Sequence, residues 1–292
     1  MGITYLYVEY YFKSFNKTGD IMESEKNLKF KMESPQWHYS MLLDNERVSV
    51  FHEAIVNTIT KDDIVFDLGT GSGILAMFAG KKAKKVYAIE LDPITAYYTD
   101  KNIKTNDFDN IKLVEADASE YNFKDENGNK EQADVIIAEM LDTALITEPQ
   151  VPVLNEIHKK GLLKENGILI PESVYNTAQV VDCRTNHIYY DEEITSKSIS
   201  EEKLYSQVNF YEINDPKVSY NIEFTLLNDC NNAGLRLNTY TKLKDGLIAG
   251  ATPMLNPPLI VPLNKPLKKG TYTFKISYIM GGDFENVKLS LE

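Results

Sequence analysis

Cysteine is scarce in this chain of 292 residues, which contains Cys183 and Cys230 and no other. Two cysteines cannot build a disulfide framework or a four-ligand zinc site, so a reducing cytoplasm is the expected compartment. Histidine is almost as rare, and its four copies are scattered without the spacing of metal ligands. No metal is therefore expected.

Long apolar runs are missing too, and basic residues are outnumbered. The aromatic N-terminal stretch is interrupted by Glu9 and no small-residue cleavage site follows it, so neither a signal peptide nor a membrane span is expected. Lys and Arg total 31 against 43 Asp and Glu, a formal net charge of -12. Because such a chain repels phosphate backbones, nucleic acid is an unfavourable partner and a cationic partner fits better.

Two kinds of hydrophobic pattern divide the chain. Residues 1–60 lack alternating strand patterns, and helical spacing over 39–60 predicts a helix there. From 61 to 171, short apolar runs alternate with helical patterns, which predicts an α/β domain with a Rossmann-like, doubly wound parallel sheet. Period-two runs separated by turn residues fill 172–292 and predict an antiparallel sheet folded into a sandwich or barrel.

A glycine-rich turn joins the first strand of the α/β pattern to its helix. It runs from Asp67 to Gly73, with Gly69 and Gly71 between them. Glycines are needed where the backbone turns sharply and approaches a ligand without a Cβ in the way. The motif begins with Asp and its glycines alternate, a variant that resembles class I S-adenosylmethionine-dependent methyltransferases. The alternative is a tight turn that binds nothing.

Acidic residues end the two strands that follow. Glu90 comes at the end of the second strand, and Asp117, with Ala118 beside it, at the end of the third. Because the carboxyl ends of parallel strands share one edge of a sheet, these residues are expected around the same ligand. The resemblance implies S-adenosyl-L-methionine as the cofactor, with Glu90 on the ribose hydroxyls and Asp117 on the adenine amino group. Solvated loop ends are the alternative for both acids.

A segment ahead of the α/β pattern narrows the family. Residues 37–47 contain His38, Met41 and Arg47 in an order that resembles the H-x-x-M-L-x-D-x-x-R segment of protein arginine methyltransferases. The resemblance implies that Arg47 binds the methionine carboxylate of the cofactor while His38 and Met41 fold over it. The N-terminal helical segment would then cover the cofactor. An amphipathic helix whose arginine caps an acidic surface is the alternative.

Two glutamates follow the fourth strand. Glu139 and Glu148 are nine residues apart, as in the double-glutamate loop of the same family. The resemblance implies a catalytic pair that clamps a planar guanidinium and positions one nitrogen for methyl transfer, with Glu139 also beside the cofactor. The alternative makes Glu139 a solvated strand end and Glu148 part of a helix start before Pro149.

The resemblance covers about residues 37–175 and has departures. Met140 replaces the family's usual Trp, and Asp142 replaces its usual Gly. The family's Thr-His-Trp loop, which closes the arginine pocket, has no counterpart over 251–261. The region after the α/β core is also shorter than the family's, which leaves the oligomeric state open, with a homodimer as one candidate.

Together these patterns predict a methyltransferase that acts on a side-chain nitrogen of a protein or peptide, with arginine the favoured acceptor. Two other functions stay open. One is methyl transfer to a small molecule or to another residue type, which the missing His and Trp favour. The other is a non-catalytic homologue that binds the cofactor, which would have no need of two glutamates at the family spacing.

Overall fold

The computed structural model describes residues 5–10 and 28–292. Its first elements are an antiparallel pair of strands and two helices: β1 (Tyr5–Tyr10), β2 (Leu28–Glu33), α1 (Gln36–Leu43) and α2 (Asn45–Thr58). The strands correct the sequence analysis, which found no strand pattern before residue 60. Residues 1–4 and 11–27 of the predicted N-terminal segment lie outside the described residues.

Two features differ from the sequence analysis, the early strand β2 and a break in the predicted helix, and single residues explain each of them. Phe30 and Met32 are buried and Lys31 between them is exposed, which is the period-two pattern of a strand. The helix predicted over 39–60 is two helices, because Asp44 interrupts it. The Asp44 side chain accepts a hydrogen bond from the backbone N–H of Arg47 (3.1 Å) and so caps α2.

Five strands form the parallel sheet that the α/β pattern predicts, in the order β5-β4-β3-β6-β7. They are β3 (Ile64–Leu68), β4 (Lys85–Glu90), β5 (Ile111–Glu115), β6 (Ala133–Ala138) and β7 (Leu163–Ile170). Two helices lie between the first three strands along the chain, α3 (Ile74–Gly80) and α4 (Pro93–Thr105). The order reverses between β3 and β6. Ligands of open α/β sheets bind beyond the carboxyl ends of the strands at such a switch point.

The packing of aromatic side chains shows why these apolar runs are central strands. Val65 and Phe66 of β3 and Tyr87 of β4 are fully buried. Phe66 stacks on Phe123 with 3.8 Å between ring centroids and meets Tyr87 edge-on at 5.4 Å. Strands covered on both faces show continuous apolar runs in place of alternation. The Rossmann-like part of the predicted fold is confirmed.

The remaining strands are antiparallel, as predicted. A 3-10 helix (Thr143–Leu145) and α5 (Gln150–Lys159) precede them, and a second 3-10 helix (Phe284–Asn286) precedes the last strand. The strands are β8 (Ser173–Asp182), β9 (Tyr189–Tyr190), β10 (Lys197–Ser198), β11 (Lys203–Asn209), β12 (Lys217–Leu226), β13 (Cys230–Lys242), β14 (Ile248–Ala249), β15 (Leu259–Leu267), β16 (Gly270–Ile279) and β17 (Lys288–Leu291).

Two antiparallel sheets share these strands. One follows the order β10-β8-β13-β15-β9, with β11 also paired to β8 and β14 to β13, and the other follows β12-β16-β17. Along β12, Phe224 is buried while Glu223 and Thr225 are exposed. Phe224 meets Phe274 of β16 edge-on at 5.7 Å. The hydroxyl groups of Tyr205 on β11 and Tyr278 on β16 lie 3.3 Å apart and connect the sheets.

The chain divides into two compact units that are interleaved along the sequence. Of the described residues, the first unit holds those up to Glu139, Lys160–Ile170 and Leu243–Leu247. The second unit holds Met140–Lys159, Pro171–Lys242 and Ile248–Glu292. The sequence-based division into 1–60, 61–171 and 172–292 stays a prediction.

The described residues contain neither a membrane-spanning helix nor a cluster of metal ligands. No helix among residues 5–10 and 28–292 is long and apolar enough to cross a membrane. In that same part of the chain, no group of three or more His, Cys, Asp or Glu side chains is arranged to hold a metal ion. Cys183 and Cys230 are buried free thiols.

Candidate active site

The glycine turn after β3 has a backbone shape that glycine adopts more readily than other residues. Gly69, Gly71 and Gly73 have φ angles of 70°, 54° and 84°, in the left-handed region. Space is short as well: a Cβ on Gly71 would lie 3.1 Å from Cε1 of His38, and one on Gly73 would lie 2.9 Å from Cγ2 of Thr99. Conformation and clearance therefore both call for glycine.

Asp67, at the start of the motif, is buried. Its carboxylate accepts hydrogen bonds from Oγ1 of Thr70 (2.6 Å) and from the backbone N–H of Ala76. Burial is the main reason that the pKa of Asp67 is raised to about 7, and the negative charges of Glu139 and Glu90 act in the same direction. A cation bound nearby would favour the ionised form of this side chain.

Glu90, at the end of β4, contacts the turn directly. Its Oε2 accepts a hydrogen bond from the N–H of Gly71, and its Oε1 accepts one from the N–H of Asp92, both at 2.9 Å. Two backbone donors therefore fix the orientation of the carboxylate. Each oxygen has a second lone pair, which can accept a hydrogen bond from a ligand hydroxyl.

The end of β5 carries the other predicted acid. The Oδ1 of Asp117 accepts hydrogen bonds from the N–H (2.8 Å) and Oγ (2.6 Å) of Ser119, and Ala118 is buried. The N–H of Ala116 donates to the carbonyl of Glu90 (2.9 Å). Glu90 and Asp117 therefore belong to the same edge of the sheet.

A buried ion pair joins α2 to the residue after β6. Nη2 of Arg47 donates to Oε2 of Glu139, and each side chain is only 5% exposed. Nη1 of Arg47 also donates to the carbonyl of Met41 (3.3 Å). The Nε of Arg47 is buried and has no hydrogen-bond partner among the described residues. Glu139 is therefore not the solvated strand end of the alternative interpretation, and Arg47 pairs with this buried carboxylate and does not cap an acidic surface.

His38 on α1 lies next to the glycine turn. Its ring borders Gly71, and burial lowers its pKa although the charge of Glu90 acts in the opposite direction. The imidazole is therefore neutral at neutral pH. Met41, three residues later, is half-buried. The first unit thus brings together most of the predicted site at the ends of β3, β4 and β6: His38, Met41, Arg47, Asp67, Gly69, Gly71, Gly73, Glu90 and Glu139. Their roles stay predictions.

Glu148 belongs to the second unit, in the loop that leads to α5. Its side chain is exposed, and partial desolvation on its protein side raises its pKa. The helix α5 begins two residues later, at Gln150. The sequence pairs Glu148 with Glu139 by spacing alone, and this pairing stays a prediction.

Asp142 is the residue of this loop whose importance sequence reasoning missed. It is buried, and its carboxylate accepts hydrogen bonds from Thr147 and from the N–H of Glu148. Burial raises the pKa of Asp142 to about 6. The sequence signal was a single carboxylate in an otherwise apolar run, at a position where the resembled family has Gly.

Comparison with known proteins gives a family and several relatives. A family model described as Ribosomal protein L11 methyltransferase (PrmA) matches residues 49–196. Uncharacterized protein MJ1452 of Methanocaldococcus jannaschii is 54% identical over 264 residues, which are 90% of this chain and 100% of that protein.

Two further relatives match a smaller part of the chain. Arginine N(omega)-methyltransferase of Streptomyces achromogenes subsp. streptozoticus is 31% identical over 142 residues, 48% of this chain and 38% of that protein. Protein arginine N-methyltransferase 1 of Caenorhabditis elegans is 31% identical over 160 residues, 53% of this chain and 44% of that protein.

A solved structure shares the fold. It is the Trypanosoma brucei PRMT1 enzyme-prozyme heterotetrameric complex with AdoHcy, with a TM-score of 0.70 and 18% sequence identity. The likeness covers 82% of this chain and 87% of that one. At this identity it establishes the architecture and leaves the acceptor open.

Proposed function

We propose that this chain, which belongs to the methyltransferase family described as Ribosomal protein L11 methyltransferase (PrmA), methylates a guanidinium nitrogen of a protein or peptide. It is an S-adenosylmethionine-dependent methyltransferase that resembles the arginine methyltransferases. The observation that carries the proposal is the buried carboxylate of Glu139, held by Arg47 at the switch point of the sheet. Two relatives are named as arginine methyltransferases, and these names support the same acceptor group.

The residues around the glycine turn fit the cofactor. S-adenosylmethionine supplies an electrophilic methyl group on a sulfonium centre. Gly71 keeps clear a space that a Cβ would fill, and Glu90 offers acceptor lone pairs to ribose hydroxyls. The buried Nε of Arg47 is a donor without a partner among the described residues, and a carboxylate is the acceptor that suits a guanidinium best.

The acceptor chemistry is assigned to the two glutamates. A guanidinium is planar and cationic, so carboxylates can bind its N–H groups in bidentate fashion and orient one nitrogen. Glu139 is nearly buried, and a charge in a site of low dielectric interacts with a cation more strongly than it would in water. Arg47 fixes the orientation of that carboxylate. The family spacing assigns the second carboxylate to Glu148.

The guanidinium of a small molecule is the second candidate acceptor. The Streptomyces relative is named for arginine without reference to protein. Residues 251–261, where the resembled family closes its arginine pocket, contain neither His nor Trp.

We also propose a cytoplasmic location, on the basis of the composition, and a homodimeric assembly, on the basis of the family resemblance.

Methyl transfer from radiolabelled S-adenosylmethionine distinguishes these acceptors. The full-length chain is incubated with an arginine-containing peptide, with the same peptide carrying lysine in place of arginine, and with free arginine. We expect label in the arginine peptide and none in the lysine peptide. Label in free arginine alone would select the small-molecule candidate, and equal label in both peptides would contradict a guanidinium acceptor.

A matched pair of variants tests the role of Glu148. Glu148→Gln keeps the size of the side chain and removes its charge, so we expect activity to fall about a hundredfold. Cofactor affinity, measured by calorimetry, should stay within about threefold, which is under about 1 kcal/mol. Glu193 is exposed in the same unit, and Glu193→Gln should keep full activity. Equal activity in the two variants would contradict the assignment of Glu148.

A further inference from the structure

Asp142 holds the loop that carries Glu148. Its Oδ2 accepts hydrogen bonds from the N–H (2.8 Å) and Oγ1 (3.0 Å) of Thr147, and its Oδ1 accepts one from the N–H of Glu148 (3.3 Å). Asp142 is buried, with 6% of the residue exposed, so water competes little for these bonds. All three donors belong to two consecutive residues. Asp142 therefore fixes the main chain at the point from which the Glu148 side chain extends.

The earlier part of the loop is anchored separately, by the strands of the second unit. The N–H of Ala144 donates to Oγ1 of Thr239 (2.7 Å), and the carbonyl of Leu145 accepts from the N–H of Gly281 (2.8 Å). Ala144 and Leu145 both have positive φ angles, 61° and 60°. Residues other than glycine keep such a conformation only where their surroundings impose it. The loop is thus held in a strained shape, and Asp142 binds its residues Thr147 and Glu148.

We propose that Asp142 is a positioning residue for methyl transfer, which aims the Glu148 carboxylate by bracing Thr147 and the Glu148 backbone. The inference rests on the proposed function, in which Glu148 binds the acceptor. A side chain that is misplaced by about an ångström loses much of its effect on a reaction. Glycine, the usual residue of the resembled family at this position, cannot supply the brace.

Steady-state kinetics on the full-length chain test the role of Asp142, with the arginine-containing peptide as acceptor and S-adenosylmethionine as methyl donor. Asp142→Ala removes all three bonds, and we expect kcat/KM for the acceptor to fall about tenfold or more. Asp142→Asn is nearly isosteric and keeps one oxygen for Thr147, so its loss should be intermediate. Cofactor affinity should stay within about twofold in both variants. Asp125 accepts three hydrogen bonds in a turn of the first unit, and Asp125→Ala should keep the parent kinetics.

A double-mutant cycle separates positioning from a general loss of structure. If Asp142 acts through Glu148, Asp142→Asn should cost nothing further in a Glu148→Gln background. A full additional loss there would overturn the inference, because the aspartate would then act independently of Glu148. Parent-like kcat/KM in Asp142→Ala would also overturn the inference about Asp142. If Glu148→Gln had lost its activity in that case, the proposed function would still stand. Full activity in Glu148→Gln would overturn both.

Discussion

Arg47 and Glu139 form one buried ion pair, although sequence patterns assign Arg47 to the cofactor carboxylate and Glu139 to the acceptor. A carboxylate that binds Arg47 therefore meets a cation whose charge is already partly neutralised. Conversely, loss of the Glu139 charge leaves a buried guanidinium without its partner. Breaking a buried pair in this way typically costs about 3–5 kcal/mol. If Arg47 binds the cofactor carboxylate as proposed, the pair links the stability of the protein to the occupancy of the cofactor site.

Glu139→Gln should therefore lower the free energy of unfolding of the ligand-free protein by about 3–5 kcal/mol. S-adenosylhomocysteine should raise the Tm of this variant by more than it raises the Tm of the parent, because its carboxylate gives Arg47 a new partner. Asp100→Asn is the control, since it removes an exposed pair with Lys104 that is worth about 0.5 kcal/mol or less. Identical ligand-induced Tm shifts in variant and parent would show that the two carboxylates do not compete for Arg47.

Arg47→Ala should weaken S-adenosylhomocysteine binding at least about tenfold and leave adenosine binding within about threefold. The reason is that the guanidinium meets the amino-acid end of the ligand, which adenosine lacks. Calorimetry with the two ligands measures both effects. A loss of equal size for both would mean that α2 had come apart and that Arg47 has a structural role.

Gly71→Ala and Gly128→Ala form a matched pair, because both glycines have positive φ angles, 54° and 82°. Alanine in this conformation costs roughly 1–2 kcal/mol at either position. Only at Gly71 would the Cβ approach another side chain, His38, whereas nothing lies within 4 Å at Gly128. We expect thermal unfolding to show a loss of stability in both variants, larger in Gly71→Ala because of the His38 contact, with cofactor affinity reduced about tenfold or more in Gly71→Ala alone. Retained affinity there would rule out a close approach of the cofactor to this turn.

Asp67→Asn should change the pH dependence of stability. The pKa of Asp67 is raised to about 7 in the folded protein, above the ordinary value of 3.8. Between these values the unfolded chain releases a proton that the folded chain retains, so the Asp67 contribution falls as pH rises from about 4 to 7. Denaturant unfolding should show the variant gaining stability relative to the parent over that range, with no further gain above about pH 7. A difference that stays constant with pH would show that Asp67 titrates normally.

The parallel half of the fold could be predicted because its signals are local. Buried strands such as β3 appear as short apolar runs, and the turn from Asp67 to Gly73 needs glycine for reasons that the sequence alone reveals. β2 was also predictable, since Phe30 and Met32 alternate with charged residues. The pattern is only six residues long, which makes it a weak signal.

The interactions that define the site were less accessible. Arg47 and Glu139 are 92 positions apart, and an ion pair across tertiary structure leaves no periodic trace in a sequence. The loop between Asp142 and its partners passes through positive φ angles at Ala144 and Leu145. Neither alanine nor leucine is a residue type from which such a backbone conformation is predicted. The family resemblance predicts where the loop lies in the sequence. Its strained backbone and its hydrogen bonds are visible only in the structure.

The chain crosses between its two compact units five times, first after Glu139 and last before Ile248. A fragment that ended near Pro171 would keep α5, whose Leu154 and Ile157 are buried in this structure, and would lack the strands of the unit to which α5 belongs. Neither unit is therefore a continuous gene segment that could be expressed alone. On the ribosome, the first unit cannot finish folding before residues 243–247 are synthesised, and the second cannot finish before β17 is synthesised.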